Sequence, residues 1–396
     1  MRSPRLARTS LLVLALVAVA PASAGLDEPL THARAALSLP RTSDGMQGRY
    51  DAGRDLEEAV YSLRAPALAC RLRAALVLAR GLVREAEGYD RPLRRLEDLG
   101  RRQALVGVRR LRGCSASGDK IRLRRALGWT GFFLPPLRKA APERARDERV
   151  AAELGRLGRA FPGWAAIWTH NLVSGRTAGW NSDAQFPAAS TVKLGLLLAA
   201  FRRSPPLRSS LDYDLRTMTE WSSNLAANRL LTRVGGPSAV EAALRGVGAT
   251  RSTFPQGFRV GTAVRRLDVE KPPPHVSGRV TTAHDLGRIL YAIHAGAFGN
   301  AHALRLSRLN RARSTYALSL LLASKPTGNN VGLLVPWLRR GTPIAQKNGW
   351  LHDARHTAAV VYFRSGPKIV VVLTYAPGLK LATARDLGRR VLAALR

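Results

Sequence analysis

The sequence predicts an α/β (α+β) three-layer sandwich, an antiparallel sheet flanked by helices, preceded by a small α-helical domain. Three observations support this fold class. Strand-like hairpins lie at both ends of residues 147–396, and mostly helical segments separate them. The segment before this region shows helical spacing only. A proline-rich stretch divides the two parts. Distant strands would therefore form one sheet, with a helical subdomain inserted between them.

The first residues have the pattern of a secretory signal peptide, predicted over residues 1–24. Three arginines precede an apolar run from Leu11 to Ala20, and small residues follow up to Ala24. The run is too short to span a bilayer, and no later stretch approaches the roughly 20 apolar residues that a spanning helix requires. We therefore expect a secreted or periplasmic protein without a membrane span, cleaved near Ala24.

Residues 25–127 are predicted to form the small helical domain. Apolar residues recur at helical spacing from about Asp55 to Gly88, and a second helix is predicted from Pro92 to about Arg112. The two cysteines of the chain, Cys70 and Cys114, both lie in this segment. An even number in an exported chain favours a disulfide, with two buried free thiols as the alternative.

The main domain is predicted over residues 147–396, after a linker at residues 128–146 that contains three prolines. A helix is predicted from about Arg146 to Ala160, and hairpins over residues 163–183 and 357–377. Further helices are predicted over residues 191–202, 225–234, 238–245, 283–295 and 382–395.

The chain is strongly basic, with a net charge of +36. Such a field attracts polyanions, so we expect non-specific contact with anionic envelope polymers. Only eight of the 63 basic residues are lysines, and the arginines are spread along every segment without an aromatic platform. We therefore expect no specific nucleic-acid binding. We also expect the protein to be a monomer.

One S-x-x-K pair, Ser190 and Lys193, lies at the start of an apolar helical run. One helical turn places both side chains on the same face, so the amine could activate the hydroxyl as a nucleophile. The alternative is a helix cap beside a solvated lysine. The same spacing occurs at Ser117 and at Ser365, both in apparent turns. The pair alone is therefore a weak signal.

Two later clusters make the signal more specific. Ser222 and Asn224 lie just before another apolar helix, where both side chains can project into a cleft. Lys347 and Gly349 lie on an extended segment, and a glycine in a strand often marks the close approach of another backbone or a ligand. Serine-lysine, serine-x-asparagine and lysine-x-glycine in this order form a far more specific signal than any one of them.

With "FPAASTVK", "SSNLAANRLL", "TTAHDL" and "KNGW", residues 147–396 resemble the class A β-lactamase and penicillin-binding protein superfamily. The resemblance implies a nucleophilic role for Ser190, with Lys193 as its base. It implies that Ser222 carries a proton to the leaving nitrogen, that Asn224 binds the amide side chain of the substrate, and that Lys347 supplies positive charge near its carboxylate. The reaction that the resemblance implies requires no cofactor.

The resemblance also implies an oxyanion hole formed by the backbone N–H groups of Ser190 and Trp350, the residue after Gly349. Arg355 would anchor the substrate carboxylate, or else be a surface residue. Asn348 stands where the family has threonine and could replace its hydroxyl in part. The interval from Ser190 to the next motif is about half the usual one, which implies a reduced helical subdomain.

The usual E-x-x-L-N motif, whose glutamate activates the deacylating water, is missing from the sequence. The acids in the corresponding stretch are Asp268 and Glu270, each of which could be this base or a solvated loop charge. Without such a base, a β-lactam would acylate the serine and leave slowly. The protein would then resemble a penicillin-binding protein.

We therefore expect an exported serine hydrolase that acts on β-lactams or a related amide or ester. A penicillin-binding or D,D-peptidase-like enzyme acting on cell-wall peptides is the alternative, and a non-catalytic envelope-binding protein is a third hypothesis. The sequence has no G-x-S-x-G elbow. His352 and His356 have metal-compatible spacing, but they lie in a hairpin-like stretch with no third ligand to nominate, so no metal is expected.

Overall fold

The computed structural model describes residues 24–63, 69–114, 141–203, 211–261, 278–324 and 331–396. The predicted signal peptide up to residue 23, most of the predicted linker, and both Asp268 and Glu270 lie outside these ranges. Within them, no helix is long and apolar enough to cross a membrane.

The described ranges contain thirteen α-helices and seven strands. The helices are α1 (Ala24–Ala36), α2 (Ser43–Ser62), α3 (Ala69–Asp90), α4 (Arg94–Arg112), α5 (Glu148–Arg159), α6 (Lys193–Arg203), α7 (Asp212–Glu220), α8 (Asn224–Val234), α9 (Pro237–Gly246), α10 (Ala283–Ala297), α11 (Ala301–Ser307), α12 (Arg311–Leu322) and α13 (Leu381–Ala394). The strands are β1 (Trp164–Asn171), β2 (Thr177–Trp180), β3 (Phe186–Pro187), β4 (Val280–Thr281), β5 (Ile344–Trp350), β6 (Ala354–Phe363) and β7 (Gly366–Tyr375).

Five strands form one antiparallel sheet in the order β2-β1-β7-β6-β5. Side chains alternate across it, as expected for strands. Ile167 and Val370 pack with α5 and α13 on one face, whereas Trp168 and Val371 belong to the core under α6, α8 and α10 on the other. The predicted three-layer arrangement, assembled from strands far apart in the chain, is confirmed.

The predicted helices of the main region all form, but α7, α11 and α12 were missed. Helix α7 is polar in sequence although most of its residues are buried. In the second half of α12 apolar residues occur on all sides, so no helical period is visible. Burial inside the subdomain, rather than an amphipathic pattern, explains why both helices escaped prediction.

The single helix predicted from Asp55 to Gly88 is wrong, because two helices cover this segment. Helix α2 ends at Ser62, and Leu63 is already extended, with φ −85° and ψ 123°. The sequence has a proline at position 66, which disfavours helical geometry in the residue before it. Helix α3 then begins at Ala69.

The predicted disulfide between Cys70 and Cys114 is confirmed, with a Cα–Cα distance of 5.5 Å. It joins the first turn of α3 to the residue after Gly113, whose N–H caps the end of α4. The helix predicted from Pro92 to about Arg112 corresponds to α4, which ends at Arg112 as expected and begins two residues later, at Arg94. The disulfide holds the open end of the α3–α4 pair together.

The N-terminal helices pack directly on the helical subdomain. Met46 and Tyr50 of α2, together with Val83 of α3, belong to the same buried core as α6 and α8. The Tyr50 hydroxyl donates a 2.8 Å hydrogen bond to Asp214 on α7, and Arg229 on α8 forms ion pairs with carboxylates of α2. One face of α2 and α3 thus joins the core of the subdomain, whereas the other buried apolar residues of the N-terminal helices form a core of their own.

The last residues of the predicted linker lie along the β1–β2 hairpin. The Arg144 N–H donates to Gly175 O at 2.9 Å, and Arg146 forms a parallel bridge with Thr177. Residues 141–146 are therefore attached to the edge of the sheet.

Candidate active site

Ser190 lies on a 3-10 turn, Ala189–Val192, that leads directly into α6. The turn is strained, since Ala189 has a φ of +47°, a region that residues with a Cβ rarely adopt. Such strain is found mainly where the surrounding structure holds a functional residue in place. The turn presents the partly exposed Ser190 at the positive end of the helix.

Lys193, one turn after Ser190, is wholly buried because α6 runs through the centre of the core. Its Nζ donates to Ser222 O at 2.6 Å and to Asn224 Oδ1 at 2.7 Å. The ring of Phe258 lies 4.4 Å from Nζ. The pKa of Lys193 lies well below its usual range, mainly because the side chain is buried and secondly because of the positive charge of Lys347.

Ser222 lies in the loop between α7 and α8 and has a φ of +62°. Ser223, between Ser222 and Asn224, caps α8 by accepting a hydrogen bond from Ala226 N at 3.2 Å. Asn224 is the first residue of α8, and its Nδ2 donates to Arg259 O at 3.1 Å. The middle residue of this motif therefore serves as a helix cap.

Lys347 on β5 is buried and also reaches Ser222. Its Nζ donates to Ser222 Oγ at 2.8 Å and to Asn348 O at 3.0 Å. The Nζ of Lys193 lies 3.4 Å from the same Ser222 Oγ. Burial lowers the pKa of Lys347 to about 7. Two buried amines therefore meet at one hydroxyl.

Gly349 allows β5 to lie against the serine turn. A Cβ at this position would be 2.9 Å from Thr191 N and 3.1 Å from the Cβ of Ala189. Only glycine fits at such a distance, which agrees with the close backbone approach expected from the sequence. The contact brings the end of β5, including Trp350, beside the residues that flank Ser190.

Two predicted substrate contacts have other partners. The Asn348 side chain accepts a 2.7 Å hydrogen bond from Thr357 Oγ1 and lies against Gly332, because strand alternation turns it away from the face of Lys347. The Arg355 guanidinium donates to His352 O at 3.1 Å and lies 5.2 Å from the Trp350 ring. Arg355 is therefore near the end of β5, whereas the amide of Asn348 is not directed at Ser222.

Two residues at the site were missed from the sequence. Asp90, the last residue of α3, accepts a 3.0 Å hydrogen bond from Asn224 N. Arg279 stacks on the Phe258 ring at 4.0 Å, and its burial lowers its pKa to about 10. Asp90 lies far from every motif, and Arg279 is one arginine among many, so neither residue stood out.

Fold and site geometry together place the chain among serine hydrolase-like proteins. The family model described as the beta-lactamase enzyme family matches residues 149–213 and 202–395, more than half of the chain. The chain belongs to this family. The match begins after the N-terminal helices, which lie outside it. No curated protein sequence matches the chain.

Solved structures share the fold at low identity. The reconstructed class A β-lactamase of the last common ancestor of Gram-negative bacteria is 20% identical, with a TM-score of 0.50, covering 62% of this chain and 99% of that one. A double mutant of this ancestor, bound to 5(6)-nitrobenzotriazole, has a TM-score of 0.51, 20% identity, and coverages of 62% and 98%. PBP-A is 20% identical, with a TM-score of 0.49, covering 65% of this chain and 98% of that one.

Proposed function

We propose that this protein is an exported serine hydrolase of the class A β-lactamase type, which opens β-lactam rings through an acyl-enzyme on Ser190. The observation that carries the proposal is the meeting of Lys193 and Lys347 at the Ser222 hydroxyl. Burying two amines in one place is unfavourable for stability. Perturbed groups of this kind cluster at sites of catalysis.

In the first step, the Ser190 hydroxyl attacks the carbonyl carbon and its proton passes to Lys193. A neutral amine that donates to Ser222 O and Asn224 Oδ1 keeps its lone pair for this proton. The negative charge that develops on the carbonyl oxygen would be bound by the N–H groups of Ser190 and Trp350.

In the second step, the C–N bond breaks and the leaving nitrogen takes the Ser222 proton. Lys193 then returns a proton to Ser222 Oγ, 3.4 Å from its Nζ. Lys347 attracts the substrate carboxylate, with Arg355 as a second cation near the end of β5. Asn224 would bind the amide side chain with the second lone pair of its oxygen and the second N–H of its nitrogen, since Lys193 and Arg259 O each occupy only one of these.

In the last step, water attacks the ester carbonyl and releases Ser190. Asp268 or Glu270 would activate this water, and both lie outside the described residues. Because the sequence has no E-x-x-L-N motif, slow deacylation is the specific alternative. A penicillin-binding or D,D-peptidase-like enzyme would then act on cell-wall peptides through the same serine.

Labelling with a fluorescent penicillin tests the proposal. The wild type should be labelled, and Ser190→Ala should not. Ser365→Ala is the matched control, since it removes the exposed serine of another S-x-x-K pair, at the turn between β6 and β7. Label that decays within seconds supports a β-lactamase, and persistent label supports a penicillin-binding enzyme. An unlabelled wild type contradicts both and favours an envelope-binding protein.

The affinity for a carboxylated β-lactam is expected to fall about tenfold between pH 6 and pH 9, or about 1.4 kcal/mol. Lys347, with a pKa of about 7, is positive below this pH and neutral above it. Calorimetric titration of penicillin into Ser190→Ala measures binding without acylation. Adding Lys347→Met to this variant should make the affinity nearly independent of pH. An affinity that rises with pH would contradict this role for Lys347.

A further inference from the structure

The N-terminal helices reach the candidate active site through Asp90, where α3 ends. Asp90 Oδ2 accepts from Asn224 N at 3.0 Å, and Asn224 Oδ1 accepts from Lys193 Nζ at 2.7 Å. The backbone N–H of Gly261 also acts to lower the pKa of the Asp90 carboxylate, whereas burial raises it. Asp90 Oδ1 is buried without a hydrogen-bond partner among the described residues. The Asp90 carboxylate is thus linked to the amine of Lys193 through a single residue, Asn224.

Contacts on both sides of Asp90 hold it in this position. The Tyr213 hydroxyl donates to Glu87 Oε1 at 2.9 Å, and the Arg91 guanidinium lies 5.3 Å from the Trp221 ring. The Tyr89 ring lies so close to Gly261 that a Cβ there would be 2.2 Å away. The end of α3 is therefore anchored to α7, to the loop after it, and to the segment before residue 262.

The charges around Lys193 give Asp90 an electrostatic role. Lys347 and Arg279 both add positive charge and lower the pKa of Lys193, as burial does. Asp90 acts in the opposite direction and is the one carboxylate that does so in the described part of the chain. Asp90 itself faces Lys193 and Arg91, with Glu87 one turn earlier on α3. Without Asp90, Lys193, Lys347 and Arg279 would meet with no described carboxylate beside them.

We propose that Asp90 is a positioning residue for acylation of Ser190, which holds the Ser222–Asn224 loop through Asn224 N and provides the negative charge beside Lys193. This inference rests on the proposed function of Ser190 and Lys193. It makes the N-terminal helices a working part of the active site, although the family match starts at residue 149. An isolated 147–396 region would lack this carboxylate.

Asp90→Asn separates charge from shape, because the amide oxygen can still accept from Asn224 N. Loss of the negative charge lowers the pKa of Lys193 further. The acidic limb of the labelling rate with fluorescent penicillin should then move to lower pH by about one unit. Asp90→Glu keeps the charge and should leave the limb in place. Asp98→Asn, an exposed position on α4, is the matched control.

A limb that does not move in Asp90→Asn overturns the inference, because a purely structural role changes the rate and not the pH dependence. A double-mutant cycle with Lys193→Met provides a readout that needs no activity. The unfolding equilibrium constants of the wild type, both single variants and the double variant are measured in urea. The constant of the double variant should differ at least tenfold from the value expected if the effects of the two single substitutions were independent. Additive effects also overturn the inference. An unlabelled wild type contradicts the proposed function, and the cycle then still decides separately whether Asp90 provides the charge beside Lys193.

Discussion

Replacement of Lys193 by methionine is expected to slow acylation of Ser190 about a thousandfold, within the range typical for loss of a general base. Methionine fills nearly the same volume in α6, but it cannot accept the serine proton. Ser222 also loses a donor 3.4 Å from its hydroxyl. The second-order labelling rate with fluorescent penicillin at pH 7.5 measures the loss.

The same variant should be at least as stable as the wild type at pH 7. The pKa of Lys193 is depressed in the folded protein, so between that pKa and the unfolded value the unfolded chain holds more protons. Stability therefore rises with pH across this window, and methionine removes the penalty present at pH 7. Lys368→Met, which changes the lysine of the S-x-x-K pair that begins at Ser365, is the control for labelling. A loss below tenfold in a folded Lys193→Met variant would assign the base to another group.

Asp214→Ala is expected to lower the free energy of unfolding by about 3–5 kcal/mol, as observed when one partner of a buried ion pair is removed. Asp214 is wholly buried between Arg54, at 3.5 Å, and Arg229, at 3.2 Å, and it accepts from the Tyr50 hydroxyl. Its removal leaves two buried guanidinium groups with less negative charge beside them. Urea denaturation followed by circular dichroism measures the change.

Asp386→Ala is the matched control for this prediction. Asp386 also pairs with an arginine, Arg389 at 2.7 Å, but both side chains are about half exposed. Exposed pairs contribute roughly 0–1 kcal/mol, so this variant should be close to wild type. Equal effects of the two substitutions would show that the contacts of Asp214 with Tyr50, Arg54 and Arg229 do not hold the N-terminal helices on the subdomain. Because α3 also carries Asp90 to the site, Asp214→Ala should reduce penicillin labelling as well.

The sheet and the order of the site motifs could be predicted because their signals are local. Strand alternation around the turns at Gly175 and Gly366 marks both hairpins. Alternation within β5 could also have shown that Asn348 and Lys347 lie on opposite faces, a consequence that the family comparison obscured. The structure brings Lys193, Ser222 and Lys347 into contact, with Ser190 on the turn before Lys193, and the chemical roles of these residues stay a prediction.

Other features depend on packing and carry no local signal. Helix α7 is polar in sequence and buried in the fold, so no amphipathic pattern marks it. For this helix the surroundings of the segment, and not its own residues, decide the outcome. The break between α2 and α3 differs, because the proline at position 66 is a local signal that the apolar spacing on both sides of it outweighed in the prediction.

The sequence by itself determined the fold class, the one pairing open to its two cysteines and the S-x-x-K pair that leads into α6, since each follows from residues at fixed spacing or from a count of two cysteines. That the cysteines are joined, and are not free thiols, is seen in the structure. Only the tertiary structure decided which charges surround that pair. The pKa of Lys193 depends on burial and on Lys347 and Asp90, residues more than a hundred positions away on either side. Electrostatic effects act through space in a low-dielectric interior, so their partners are set by packing and not by order along the chain.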